Sequence, residues 1–140
     1  MFCDIKHLLD DPSVLQIMAY SQYEHSLERA AKQAQAYSKN PAQQFYGWME
    51  DGTVLGACGF LVHEDKLEIT SIAVAEAARG RGIGNAMVDA LRERTPALPI
   101  DAETDDDAIG FYRKCGFSAT AIQKYGVRRW MCTLPIEETL

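Results

Sequence analysis

The segment Arg79-Gly80-Arg81-Gly82-Ile83-Gly84 places three glycines within five positions, and the hydrophobic period changes across it. Before it, Lys66–Val74 reads as a strand. After it, Ile83, Ala86, Met87, Ala90 and Leu91 recur at helical spacing, defining one face of a helix from about Gly82 to Arg94. Glycines at such a junction permit close backbone approach and unusual dihedrals. The first amides of a helix lack intrahelical acceptors, and the dipole there is positive. The loop therefore reads as a phosphate cradle, with Arg79 and Arg81 adding charge.

Two phosphate-binding patterns fail on spacing. A P-loop needs Gly-Lys-Ser/Thr, but Gly84 is followed by Asn85 and Ala86. The dinucleotide fingerprint needs G-x-G-x-x-G, but here the glycines alternate and Asn85 follows the last. The plain alternative is a flexible turn before a surface helix.

Around this junction the chain reads as one α/β domain spanning residues 1–140. Phe2–Leu8 is a short strand. From Asp11-Pro12-Ser13 to about Ser38 the pattern is helical, with Tyr23, Leu27, Ala30, Ala31 and Ala34 on one face, and Asn40-Pro41 ends it. Gln44–Met49, Thr53–Val62 and Lys66–Val74 form an antiparallel meander, turning at Glu50-Asp51-Gly52 and His63-Glu64-Asp65. Pro99–Glu103 is a strand. A helix capped by Thr104 or Asp105 runs to about Cys115, presenting Ala108, Phe111, Tyr112 and Cys115, with Gly116 as its left-handed terminator. Ser118–Lys124 and Arg128–Leu134 close the chain. A meander followed by strand-helix-strand-helix implies a mixed sheet.

Composition narrows the function classes. Fourteen Lys+Arg against twenty Asp+Glu give a formal charge of −6, which disfavours nucleic acid as a partner. The longest apolar run, Val54 to Val62, is too short to span a membrane. Cys3, Cys58, Cys115 and Cys132 form no CxxC pair and no Cys/His cluster, so no metal is expected; Cys58 and Cys115 read as small buried hydrophobes. The N-terminus carries early charges and no signal-peptide core. A reducing cytoplasm fits.

Taken together, the motifs resemble those of the GNAT N-acetyltransferases. Arg79-x-x-Gly82-x-Gly84 matches that family's acetyl-CoA pyrophosphate motif. Leu67-Glu68-Ile69-Thr70-Ser71-Ile72-Ala73-Val74 is similar to the central strand before it. Asp105-x-x-Ala108-x-x-Phe111-Tyr112-x-x-x-Gly116-Phe117 is similar to a later motif, with Asp105 where the family often has Asn. The resemblance covers roughly Gln44 to Leu134. It implies a mixed, mostly antiparallel sheet of about six to seven strands with about four flanking helices, the central strands splayed apart. It also implies acetyl-CoA as co-substrate, bound by Ile72, Ala73 and Val74 along the strand and by Arg79, Gly80, Arg81, Gly82, Ile83, Gly84 and Asn85 in the loop. A homodimer is expected by family habit.

The implied reaction is attack of a primary amine on the thioester, with acceptor and donor bound together. At pH 7 an amine of pKa about 10.4 is almost entirely protonated and needs a base. Glu68 matches the position of the family's glutamate base. Strand alternation puts Glu68, Thr70, Ile72 and Val74 on one face. A backbone amide near Ile72 would stabilise the oxyanion. Tyr112 matches the general acid that protonates the departing thiolate. His7, His25 and His63 share no metal spacing. Lys114, Arg128 and Arg129 read as solvated surface, Asp105-Asp106-Asp107 as a helix start, and Tyr20, Tyr23, Tyr125 and Trp130 as core or rim. The acceptor is a small-molecule or protein amine. Two other classes compete. A non-catalytic acyl-CoA sensor or scaffold needs neither Glu68 nor Tyr112, and an acetyltransferase acting on charged tRNA wants a basic face.

Overall fold

In the computed structural model, which describes residues 1–136, seven strands form one sheet. They are β1 (Phe2–Asp4), β2 (Gln44–Glu50), β3 (Thr53–Val62), β4 (Leu67–Val74), β5 (Ile100–Thr104), β6 (Ser118–Lys124) and β7 (Val127–Leu134), in the spatial order β1-β2-β3-β4-β5-β7-β6. Neighbours are antiparallel except β4 and β5, which run parallel. That one parallel pair requires a crossover, and helix α3 (Ile83–Arg94) supplies it. Helices α1 (Pro12–Ala19) and α2 (Leu27–Lys39) cover one face of the sheet. Helices α3 and α4 (Ile109–Lys114) cover the other. The mixed sheet and the four flanking helices agree with the expectation.

The N-terminal third departs from it. The single helix expected from Pro12 to Ser38 is two. Asp11 caps α1 by accepting the Ser13 amide at 2.8 Å, and Ser26 caps α2 by accepting the Arg29 amide at 3.2 Å. Between them Glu24 and His25 adopt left-handed backbone (φ 54° and 51°), which ends the α-helical ladder. The break turns the second helix relative to the first. Tyr23 and Leu27, expected inside, are 71% and 53% exposed, and the buried stripe of α2 is Ala30, Ala34 and Tyr37. The first strand is also shorter than Phe2–Leu8. Asp4 accepts the Lys6 amide at 2.9 Å, and Lys6–Leu8 form a 3-10 turn.

The later helices follow their local signals. In α4 the Asp105 carboxylate accepts the amides of Asp107 and Ala108 at 3.1 and 2.9 Å, so it caps the turn leading into the helix. At the other end Gly116 has φ +95°, the Phe117 amide donates to the Tyr112 carbonyl and the Gly116 amide donates to that of Arg113. Phe117 buries itself as the apolar follower. Two glycines let α3 sit close to its neighbours. A Cβ on Gly56 of β3 would lie 2.9 Å from Met87 Cε, and one on Gly84 would lie 2.6 Å from the Phe111 ring. Gly84 is thus a packing glycine that docks α4 against the start of α3. Gly84→Val should lower unfolding free energy by about 1–3 kcal/mol through overpacking, measured by urea denaturation; an unchanged midpoint with unchanged slope would show that Phe111 moves aside without cost.

Candidate active site

The site is built where β4 loses its parallel neighbour. Only Leu67, Glu68 and Ile69 pair with β5, opposite Ile100, Asp101 and Ala102. Beyond Ile69 the strands diverge while β4 stays zipped to β3 as far as Val74. The Ala75 amide donates to the Leu55 carbonyl at 2.8 Å, and Ala73 pairs with Ala57. Backbone direction alternates along a strand, so the N–H and C=O groups of Ile72 and Val74 face the edge that β5 has left. Of the three residues expected to line the donor, Ile72 and Val74 have open backbone groups there, whereas those of Ala73 are committed to β3.

A β-bulge sits at the same place. Gly59 pairs with Ser71 but Phe60 pairs with Ile69, leaving Thr70 as an extra residue on β4. This overturns the expected shared face. Leu67 and Ile69 point into the core under α3 and α4, as do Ile72 and Val74 past the bulge. Glu68, Thr70 and Ser71 lie on the opposite face, towards Tyr37 of α2. Strict alternation fails because the extra residue inverts the parity of everything beyond it.

The loop after β4 has the properties expected of an anion cradle. From Gly80 to Asn85 no backbone N–H donates to another described residue. Gly80 and Gly82 have φ of +82° and +77°, and a Cβ on either would meet nothing within 4 Å. Gly82 caps α3 with no side-chain acceptor, so no described residue covers the first amides of the helix. The two arginines differ. The Arg79 guanidinium lies over the Tyr20 ring at 4.4 Å, and among the described residues it has no carboxylate partner. Arg81 is held by Glu50, its Nη2 donating to both carboxylate oxygens at 2.7 and 3.0 Å. That pairing draws the Glu50 carboxyl below the ordinary glutamate range. The Asn85 side chain turns to Asp89, at 3.4 Å.

Tyr112 and Glu68 come to different environments. Tyr112 is 6% exposed, held edge-on between Phe111 and Phe117 in the core that also takes Ile72. Burial pushes its phenol well above the usual range. Its hydroxyl makes no hydrogen bond to a described residue and is not among the fully enclosed polar atoms. The Glu68 side chain is 42% exposed, and its Oε1 is 2.9 Å from His63 Nε2. The sequence reading set His63 aside. The β3–β4 hairpin brings it beside Glu68, a placement that strand register alone foretells only once the turn is known.

Other residues fall outside this cluster. Arg128 pairs with Asp106 at 2.8 Å and Arg129 with Glu103 at 3.2 Å, so both are engaged in ion pairs instead of being simply solvated. Trp130 donates to Asp106 at 2.6 Å. Lys114 is solvated, and Tyr125 stands at the β6–β7 turn, 93% exposed. Cys58 is fully buried, and Cys115 only partly. Among the described residues no group of His, Cys, Asp or Glu gathers as a metal ligand set, and no helix is long and apolar enough to cross a membrane.

The open edge of β4 leads directly into the run Gly80–Asn85, whose amides have no described acceptor. The sequence model of the Acetyltransferase (GNAT) family matches residues 6–117, and the chain belongs to that family. It is therefore an acetyl-CoA-dependent N-acetyltransferase by family. It is 29% identical over 100 residues to an uncharacterized N-acetyltransferase in the lysA 3′ region of Bacillus methanolicus, covering 71% of this chain and 82% of that one. It is 29% identical over 101 residues to the peptidyl-lysine N-acetyltransferase YiaC of Escherichia coli K12, covering 69% and 67%. A solved aminoglycoside 6′-N-acetyltransferase complexed with coenzyme A superposes with TM-score 0.72 over 99% of both chains at 14% identity, a likeness of fold.

Proposed function

We propose that this chain transfers the acetyl group of acetyl-CoA to a primary amine by direct attack, with donor and acceptor bound together. The observation that carries this reading is the run Gly80–Asn85, whose amides have no described acceptor and which lies directly beyond the open edge of β4. These amides are suited to bind the pyrophosphate, with Arg79 adding charge. Arg81 contributes only on leaving Glu50. The open backbone groups of Ile72 and Val74 pair with the pantetheine amides, and the Ile72 amide is available to the thioester carbonyl oxygen.

In this reading Glu68 takes the proton of the attacking amine. The carboxylate is open to water, so the proton has a route away through solvent. Tyr112, kept protonated by burial, donates to the departing thiolate. Because Glu68 points away from the core that takes Leu67, Ile69 and Tyr112, the amine arrives from the α1/α2 side and the thiol is protonated from the α3/α4 side. The acceptor class stays broad, a small-molecule or protein amine, and the relative that acts on peptidyl-lysine favours including lysine peptides first. Four free cysteines support a reducing compartment, the cytoplasm.

The reading is tested by titrating acetyl-CoA into the protein and following thiol release with a panel of polyamines, aminoglycosides and lysine peptides. Binding with amine-dependent thiol release is expected; no binding would remove the donor site. Gly82→Asp, which forces an L residue to positive φ and adds a negative charge, and Arg79→Glu should each weaken acetyl-CoA binding by about 10–100-fold by calorimetry, the scale of one or two charge-assisted hydrogen bonds. Equal affinities in wild type and both variants, all folded by circular dichroism, would detach the loop from the donor. Tyr112→Phe and Glu68→Gln should each lower kcat by about 10²–10⁴-fold with little change in acetyl-CoA affinity. A kcat unchanged when chemistry is rate-limiting would strip that residue of its role.

A further inference from the structure

The β4 bulge is held from outside the sheet. Tyr37, the last buried residue of α2, shares hydrogen bonds with Thr70 Oγ1 at 2.7 Å and Ser71 Oγ at 2.9 Å. These are the two consecutive residues that the bulge turns to the same face. A phenol has one proton and two lone pairs, so the hydroxyl donates to one neighbour and accepts from the other. Gln43, 3% exposed, completes the clasp. Its Nε2 shares two protons among the Gln44 carbonyl at 2.9 Å, Thr70 Oγ1 at 3.1 Å and the Phe60 carbonyl at 3.2 Å, the last on the β3 side of the register shift. Gly59, opposite Ser71, makes room for it: a Cβ there would lie 2.7 Å from the Tyr37 hydroxyl and 2.8 Å from Ser71 Oγ. Three residues from different parts of the chain thus converge on one irregularity of β4.

We propose that Tyr37, supported by Gln43, is a positioning residue for acetyl transfer: it locks the bulge that aims the Ile72 and Val74 backbone groups into the donor gap, on the far side of the strand from Glu68. This role rests on the functions proposed above for Ile72 and Glu68. A regular β4 would reverse the backbone direction beyond Thr70, turning the groups of Ile72 towards β3. The bulge leaves Thr70 without a ladder partner beside the paired Ser71, so side-chain hydrogen bonds help decide whether it persists. Tyr37 is buried and its hydroxyl is engaged by Thr70 and Ser71, so it acts through the strand.

Tyr37→Phe removes one oxygen and keeps the ring against Phe45. In the ligand-free variant, hydrogen exchange of the amides from Thr70 to Ala73 should quicken by about tenfold while those of α3 keep their rates, a local opening that leaves the global fold intact. Its kcat should fall by about tenfold, with KM for the amine changing less than twofold. Gly59→Ala, which displaces the Tyr37 hydroxyl without altering Tyr37, should reproduce both effects. Unchanged exchange at Thr70–Ala73 would overturn the clasp. Quickened exchange with unchanged kcat would overturn the positioning role. Were the wild type to show no turnover with any amine, the functional reading would fall and the positioning role with it, and exchange would still decide the clasp by itself.

Discussion

Strand β4 keeps its parallel partner for only three residues, and the candidate site lies where that pairing stops. A strand in the middle of a sheet normally spends its backbone groups on both neighbours. Here the edge facing β5 is released at Ile69 while the edge facing β3 stays bonded to Val74. Strand backbone groups seek partners, so the open edge suits the extended, amide-bearing ligand proposed above. The uncovered amides after Gly80 continue that edge into a site for negative charge. The α1/α2 and α3/α4 layers close the two faces and leave this edge as the opening.

Charge in the site is local and does not follow the net balance of the chain. The formal charge is −6, yet the loop carries two arginines and a positive helix end. One of them, Arg81, is held by Glu50, and the other, Arg79, rests over Tyr20. In the proposed donor site a polyphosphate would meet amides without described acceptors and arginines that are partly engaged. Elsewhere ion pairs join the strands that close the sheet: Glu103 of β5 meets Lys124 of β6 and Arg129 of β7. Such exposed pairs contribute little stability individually; the backbone ladder between β5 and β7 holds the terminal hairpin in place.

Much of the fold was legible in the sequence because its signals are local. The strand-to-helix change of period at Gly80–Gly84, the Asp105 cap and the Gly116 terminator each act within a few residues, and each appears where the sequence places it. Gly84 shows how a local reading falls short. It was assigned to the donor loop, and it also serves as the contact point for Phe111, which lies on another helix. The division of the N-terminal helix escapes a local reading for a similar reason. Ser26 is compatible with a helix interior by composition, and only the left-handed backbone at Glu24 and His25 reveals it as a cap.

The identity of the catalytic candidates is a property of the sequence; their disposition is not. Glu68 and Tyr112 stand at positions that the motifs mark, and the glycine loop announces itself by spacing alone. The face on which Glu68 lies, its partner His63, and the clasp of Tyr37 and Gln43 on Thr70 and Ser71 appear only in three dimensions. The physical reason is the bulge. A single extra residue in β4 inverts the parity of the strand, and it is held by hydrogen bonds from side chains more than twenty-five residues away in the chain. Periodicity reports which residues alternate, whereas tertiary contacts decide where the alternation slips.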